Sequence, residues 1–574
     1  MRLRCILLWS VWCSVLGSAK AQEVMTGPLG EQFEVRVVAQ KLSDPWEVTY
    51  GPDNFLWLTE AKGYRISRLD PATGTRKVLL NLSKERQFPR YDKIPDSVDG
   101  GKPWPQGGLM GLALHPQLLT GQPYVYLTYI YRFAGARQPG NGSAPHHGGN
   151  FFTARLVRYT YDDASQTLTR PTVLCDTIPA SNDHNAGRLL IAPVAGRNYL
   201  FYAVGDLGAG QFSNGGRPNH AQNPNSYEGK VLRFNLEPDA DANATDQWIP
   251  NDNPFMAKQQ NAVWSFGHRN AQGLAYAVVG GAGRLYSSEH GAFSDDEINL
   301  VERGKNYGHP LVLGFADGNY NGLAAAASEH ADLPGPWHTT YPTIKSEQAN
   351  AATLGASYRE PLATLYPLSN QFLTTVLTRI RNQDPDGPTW RSEAPSSLAV
   401  YTASAIPGWQ NSLLIPTLKQ GKLVRLKLTA DGTGIAGDTL MYFKAPVRYR
   451  DLAVSPDGTR LYLATDSATV TSGPSEDAPK GTACKGCILE FRYMNGGSTA
   501  APSPAKKPSP EQALAQATAF IQKLKPQDRR AKRAGLPSAQ QPIFDLLLQP
   551  TLTAPEKARA RQNATALLEG LRQQ

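Results

Sequence analysis

An all-β fold, a six-bladed β-propeller with long inter-strand loops and a short helical C-terminal extension, is predicted by three features of this 574-residue sequence. Between residues 30 and 493, six short apolar runs each end in a polar residue. Each is paired with a second run, in which apolar residues alternate with Arg, Lys or Glu. Gly (52) and Pro (44) supply the turns such a chain needs, well short of a collagen or low-complexity composition. Charged residues at 19% and hydrophobic residues at 41% exclude an extended disordered chain and allow a large core.

Residues 1–21 precede that pattern. Arg2 and Arg4 open an apolar stretch of about a dozen residues that runs into Ala19-Lys20-Ala21. This is the layout of a signal peptide cut after Ala21, so a secreted or periplasmic protein is expected. The stretch is short for a membrane span, and no later apolar run reaches about 18 residues. Net charge is +9, but residues 1–21 carry +3 and residues 500–574 carry +7, so the body sums to −1. A neutral body with a basic tail does not read as a nucleic-acid binder.

The first runs begin at Phe55, Tyr124, Leu200, Leu285, Leu413 and Leu461, and the alternating runs at Tyr64, Arg155, Lys230, Glu297, Lys422 and Ile488. Alternation with β-branched and aromatic residues marks half-buried strands. Pro52-Asp53-Asn54 and Pro456-Asp457-Gly458 are turn signals just before strands. Six strand pairs, each needing further strands, make six blades over residues 30–493. Irregular spacing leaves long loops near 86–122, 136–150, 207–228 and 316–395, where a rigid scaffold carries its chemistry. Residues 494–510 form a Pro/Ser/Gly linker. The extension 511–574 is basic, with helices expected at 511–525 and 555–572.

Cys5 and Cys13 leave with the signal, and Cys175, Cys484 and Cys487 remain. In an oxidising compartment Cys484 and Cys487 have the spacing for a local disulfide, leaving Cys175 single. Ile488 stands where a c-type haem motif has His. The one GxGxxG, Gly432 to Gly437, sits between two strands and reads as a hairpin loop rather than a dinucleotide cradle.

Several polar clusters carry the chemistry. Asp183 and His184 precede a strand. His268, Arg269, Asn270 and Gln272 share one loop. Glu289, His290, Asp295, Asp296 and Glu297 lie between strands, Lys419 is placed at a strand end, and Arg448 and Arg450 point to one face. Together they offer a base, cations for an anionic ligand, and oxygens for a hard cation such as Ca²⁺.

In the same order, QGGLMGLALHP, DHNAGRLLIAP, GHRNAQGLAY, SEHGAFSDDEINLVERGKNYG, GWQNSLLIPTLKQGKL and RYRDLAVSPDG resemble segments of the soluble pyrroloquinoline quinone (PQQ)-dependent glucose and aldose sugar dehydrogenases. The resemblance runs from Val35 to Tyr493. It implies a propeller with PQQ and Ca²⁺ at one mouth of its channel. It implies His184 as catalytic base and Arg269 beside the reacting quinone, with Gln106, Asp183, Gln211 and Trp390 on the sugar side. Asn270, Lys419, Arg448 and Arg450 would hold the cofactor. Main-chain oxygens of Gly291 and Ala292 would bind the catalytic Ca²⁺, and Glu297, Tyr307, Leu313 and Asp317 structural calcium, Tyr307 and Leu313 through main-chain oxygen. The reaction implied is oxidation of an aldose at C1 to the lactone, with electrons passed to an external acceptor, a cytochrome or quinone. A homodimer is compatible with the resemblance.

Those residue types suit the chemistry. PQQ has three carboxylates, which fixed cations recognise. An imidazole, with a reference pKa near 6.5, takes a hydroxyl proton at neutral pH. His290 and Ala292 stand where the family has Gln and Pro, and the aromatic sugar-side loop aligns only at Trp390. Two other readings compete: a non-catalytic secreted propeller binding sugar or protein, and a calcium-dependent propeller lactonase. The first should lack the base or the cations. The second needs convergent metal carboxylates and no such cationic set.

Overall fold

The computed structural model describes residues 23–88, 106–136, 148–240, 247–256, 260–388, 390–437, 439–466, 484–494 and 510–524, with scattered positions from 529 to 571. The expected signal segment lies outside the described residues. The chain divides into two compact units, Met1–Gly496 and Gly497–Gln574.

The first unit is a six-bladed β-propeller. Its first two strands, β1 (Glu23–Thr26) and β2 (Gln32–Ala39), belong to the last blade. Five blades then follow in simple up-and-down order. They are β3 (Pro45–Tyr50), β4 (Leu56–Glu60), β5 (Arg65–Leu69) and β6 (Arg76–Asn81); β7 (Leu109–Leu114), β8 (Tyr124–Ala136), β9 (Asn150–Asp162) and β10 (Thr167–Ala180); β11 (Leu189–Val194), β12 (Arg197–Val204), β13 (Lys230–Asn235) and β14 (Val263–Phe266); β15 (Ala271–Val279), β16 (Ala282–Glu289), β17 (Asp296–Leu300) and β18 (Ala363–Leu365); and β19 (Ala399–Tyr401), β20 (Ser412–Pro416), β21 (Leu423–Lys427) and β22 (Leu440–Tyr442). The last blade joins β23 (Tyr449–Val454), β24 (Arg460–Thr465) and β25 (Ile488–Tyr493) to β2 and β1.

β2 pairs with β25 from Phe33–Tyr493 to Ala39–Ile488, so the first and last strands of the propeller segment close the ring. The first strand therefore begins before residue 30, the expected boundary. Closure covers the β25 edge, leaving the outer strand of each blade as its edge. Phe33 anchors it: the ring is fully buried and lies 4.9 Å from Phe443 and 5.8 Å from Trp409.

The six first runs of the sequence are β4, β8, β12, β16, β20 and β24, and the alternating runs are β5, β9, β13, β17, β21 and β25. They are the second and third strands of every blade. The first strands, β3, β7, β11, β15, β19 and β23, touch one another around the axis. Cores lie between blades, as where Tyr126 and Leu156 meet Tyr202, Leu232 and Phe234.

The 316–395 stretch carries more order than a loop. It contains α1 (Glu347–Leu354), β18 and α2 (Asn370–Asn382). Ser346 and Ser369 cap the two helices by accepting from Ala349 and Phe372 backbone N–H groups. α2 buries Leu373, Val376, Leu377 and Ile380 at helical spacing, which fastens the segment. Lys419 lies in the turn after β20, three residues past the strand end where it was expected. The Gly432–Gly437 segment is a hairpin connection between β21 and β22. Cys484 and Cys487 form a disulfide, and Cys175 takes part in none among the described residues.

In the second unit, α3 (Pro510–Lys523) agrees with the first expected helix. The helix expected at 555–572 is described only at scattered positions. A short helix not expected, α4 (Gln541–Leu546), packs Ile543 and Phe544 into a small core with Ala517, Ile521 and Leu567. Among the described residues, no helix is long and apolar enough to cross a membrane.

Candidate active site

Antiparallel order decides which loops meet. In an up-and-down blade, the link from fourth strand to next first strand and the link from second to third strand leave the sheet at the same end. Every predicted side-chain contact to sugar or cofactor sits on such a link or at its edge. Gln106 precedes β7, and Asp183 and His184 lie between β10 and β11. Gln211 lies between β12 and β13, Arg269 and Asn270 between β14 and β15. Gly291 and Ala292 lie between β16 and β17, Trp390 between β18 and β19, and Lys419 between β20 and β21. Arg448 precedes β23, which carries Arg450. One mouth of the ring therefore gathers groups spread over some 340 residues.

A cavity of about 320 Å³ opens there. Gln106, Asp183, His184, Gln211, Arg269, Gly291, Ala292, Trp390 and Lys419 all line it. Arg450 lines a smaller neighbouring cavity, and Gln106 belongs to both walls. Asn270 and Arg448 line neither. Asn270 is buried behind His184, where its amide oxygen accepts from Ala186 N–H (3.1 Å) and Gln272 Nε2 (3.0 Å). Arg448 is buried against Asp466.

His184 is built into place. Its backbone has a φ of 48°, in the left-handed region, and its N–H donates to Gln106 Oε1 (3.1 Å) and Asp183 Oδ1 (3.0 Å). Gly205 stands directly below: a Cβ there would lie 2.0 Å from the His184 carbonyl oxygen. The ring Nδ1 lies 2.7 Å from Asp206 Oδ1. Burial alone would raise the Asp206 carboxyl; the charge and hydrogen bonds of His184 and then His309 outweigh it and hold the group well below the usual carboxylate range. An ionised acceptor at this distance assigns the proton to Nδ1 and leaves the lone pair on Nε2. Gln211 Nε2 lies 3.1 Å from that Nε2 and 3.0 Å from Asp183 Oδ2.

Arg269 continues the chain. Its guanidinium donates to Gln211 Oε1 (3.0 Å) and the His290 carbonyl (3.2 Å), while its backbone N–H donates to Glu289 Oε2 (2.8 Å). His290 reports the local field: burial, followed by the electrostatic influence of His184, Arg269, Lys419 and Arg450, holds its imidazole well below its ordinary value. His290 shares the cavity wall with His184, Arg269 and Lys419. Asp466 fixes Arg450 with two hydrogen bonds, at 2.7 and 2.8 Å.

The Gly291–Ala292 turn is fastened by Asp296, which accepts from Gly291 N–H (3.0 Å) and from Ser392 Oγ, Glu393 N–H and Ala394 N–H at 2.7–3.0 Å. A Cβ on Gly291 would lie 1.7 Å from the Ser294 carbonyl oxygen, so only glycine folds this tightly here. In the second predicted metal set, the Glu297 carboxylate accepts from Gly314 N–H (2.8 Å) and the Asp317 carboxylate from Asn319 N–H (3.0 Å), while the Tyr307 hydroxyl donates to the Leu300 carbonyl (2.6 Å) and Leu313 N–H to Glu347 (3.0 Å), bonds that do not use the main-chain oxygens expected of those two residues. Among the described residues, no three or more His, Cys, Asp or Glu side chains form a group that could hold a metal.

The sequence pattern missed part of the wall. Phe212 and Phe293 line the cavity beside Trp390, with ring centroids 6.1 and 6.0 Å from it, and Lys419 Nζ sits 4.4 Å from its centre. The aromatic surface is thus assembled from three loops, which no single alignable stretch reveals. Asp206 and Asp466 were missed as partners, though each follows the apolar run of a second strand.

The family model described as Glucose / Sorbosone dehydrogenase matches residues 42–354 and 378–471. Quinoprotein glucose dehydrogenase B of Acinetobacter calcoaceticus is 33% identical over 485 residues, covering 81% of this chain and 91% of the relative. An aldose sugar dehydrogenase of Escherichia coli is 27% identical, covering 76% and 90%. The PQQ-bound structure of an aldose sugar dehydrogenase from Streptomyces coelicolor superposes with a TM-score of 0.51 at 23% identity, covering 82% of this chain and all of that one, which shows a shared fold.

Proposed function

The chain belongs to the glucose/sorbosone dehydrogenase family, and from that premise we propose that it is a PQQ-dependent aldose dehydrogenase that oxidises the C1 hydroxyl of a sugar to the lactone. The observation that carries the reading is the meeting of one oriented imidazole, His184, with the cations Arg269 and Lys419 on a single cavity wall. The cavity fits the cofactor in kind. Its volume falls within the range of cofactor pockets, Arg269 and Lys419 supply cations of the kind a tricarboxylate binds, and Trp390, Phe212 and Phe293 offer flat apolar surface.

When bound, PQQ and Ca²⁺ supply a two-electron quinone acceptor and a Lewis acid. The protein's own residues do the rest. His184 Nε2 takes the hydroxyl proton, and Asp206 compensates the imidazolium that results. Gln211, Asp183 and Gln106 orient the sugar hydroxyls. Arg269 would stabilise negative charge growing on a quinone oxygen, and Lys419 and Arg450 would hold carboxylates. Arg448 and Asn270 support these groups from behind. Gly291 and Ala292 offer carbonyl oxygens to Ca²⁺, a donor type it accepts, and Glu297, Tyr307, Leu313 and Asp317 would form a second, structural site. Export after cleavage at Ala21, a catalytic unit at 30–493 with a linker and a basic extension at 511–574, and an external cytochrome or quinone as acceptor complete the proposal.

The test is reconstitution. Apoprotein given PQQ, Ca²⁺ and an aldose should reduce an artificial dye only when both additions are present. His184→Ala should lower turnover roughly 10²–10⁴-fold and spare PQQ binding. Hydrolysis of a lactone without PQQ would favour a lactonase, and sugar binding without turnover a binding module.

A further inference from the structure

We propose that Tyr341 and His309 are positioning residues for His184, acting through Asp206, which all three side chains share. The inference deepens the reading of His184 as the base and rests on it. Asp206 is 2% exposed, and its two oxygens have separate duties. Oδ1 serves His184 Nδ1 at 2.7 Å and Gly208 N–H at 3.0 Å. Oδ2 is met by the Tyr341 hydroxyl at 2.9 Å and His309 Nε2 at 3.0 Å.

The two partners also touch each other: His309 Nε2 lies 3.2 Å from the Tyr341 hydroxyl and 3.4 Å from Asn219 Nδ2, both longer than its 3.0 Å approach to Asp206. Asn219 Nδ2 donates to the Tyr341 hydroxyl, so the phenol's own proton is left for Asp206. Burial, then the Asp206 charge, holds Tyr341 well above the ordinary phenol value, so it stays a donor. His309 Nδ1 is buried with no hydrogen-bond partner among the described residues, which leaves Nε2 as the working nitrogen of that ring. Both residues come from the long segment between β17 and β18, whereas His184 and Asp206 come from the preceding blade. The contact therefore ties the inserted segment to the reacting imidazole.

The physical effect follows from competition for one carboxylate. Donors at Oδ2 draw charge away from Oδ1 and weaken it as acceptor for His184 Nδ1–H. They also fix the carboxylate plane, and with it the plane of the His184 ring. Removing one donor should strengthen the remaining His184–Asp206 bond. The other charged or titratable groups facing the network are Asp183, whose Oδ2 lies 3.8 Å from His184 Nε2, Arg269, Glu289 and His290, and none changes in the test below.

Tyr341→Phe keeps the ring and deletes one donor. In the apoprotein, the imidazole Nδ1–H proton of His184, assigned by its disappearance in Asp206→Asn, is expected to move downfield in the NMR spectrum. In the loaded enzyme, the acid limb of kcat/KM is expected to move upward by about half a pH unit to one unit. A resonance that stays at its parent position overturns the proposal. His309→Phe removes the other donor and should move the resonance the same way, which serves if Tyr341→Phe fails to fold. The apoprotein spectrum separates this inference from the reading beneath it: a protein that turns over no aldose but shows the shift keeps the network and loses only the proposed function.

Discussion

Asp206 decides what His184 can do. Its depressed carboxyl has a stability consequence with a definite sign. The folded form releases its proton more readily than the unfolded form, so the unfolded chain binds the proton first as pH falls. The stabilisation is present above the ordinary Asp value of about 3.9 and is lost as pH drops towards the folded value. Urea unfolding midpoints should therefore fall below about pH 4 in the parent protein, and more shallowly in Asp206→Asn. At the residue scale, the sequence displayed His184, Asp183, Arg269 and Lys419 as conspicuous polar groups in turn-like settings. It hid their partners in plain view. Asp206 and Asp466 terminate the runs LFYAVGD and LYLATD, and Glu60 and Glu289 end or nearly end two others. These ends come out at the active mouth, and their carboxylates bind His184, Arg450, Arg65 and His268. A polar end to a second strand was thus a site signal as well as a strand boundary.

Elements carry the site because links at one end of a blade converge. The β24–β25 link shows the consequence. Thr465 Oγ1 donates to the Cys484 carbonyl and accepts from Cys487 N–H, and Gly486 N–H donates to the Asp466 carbonyl. The loop closed by the Cys484–Cys487 bridge thereby touches the main chain of Asp466, whose carboxylate orients Arg450. Reduction, or Cys484→Ser with Cys487→Ser, should cost about 2 kcal/mol of stability by loop entropy and weaken PQQ reconstitution, measured by unfolding and by titration. The second strands were legible as short apolar runs with a polar end, and the third strands by their alternation. The first strands were not, since they face the channel and mix glycine, Arg and apolar residues, as in GLMGLAL and RYRDLAV. The helices inside 316–395 were also missed. α1 is short and buries only Glu347, so its pattern has no apolar stripe to read.

At the scale of the whole molecule, the ring is held shut by pairing between its two ends. Phe33→Ala should destabilise the propeller by about 3–5 kcal/mol, read as a shift in the denaturant midpoint, because it empties a fully buried aromatic site at the seam. Closure also sets the geometry of the mouth, since every blade contributes a link to it. Binding of PQQ by Ca²⁺-loaded apoprotein, followed by titration calorimetry in the parent and in Lys419→Ala, puts that convergence to the most direct test. Saturable binding of one PQQ per chain, weakened at least tenfold by the substitution, is the expected result. No saturable binding, or equal affinity in the two proteins, would contradict the cation-lined mouth as the cofactor's seat.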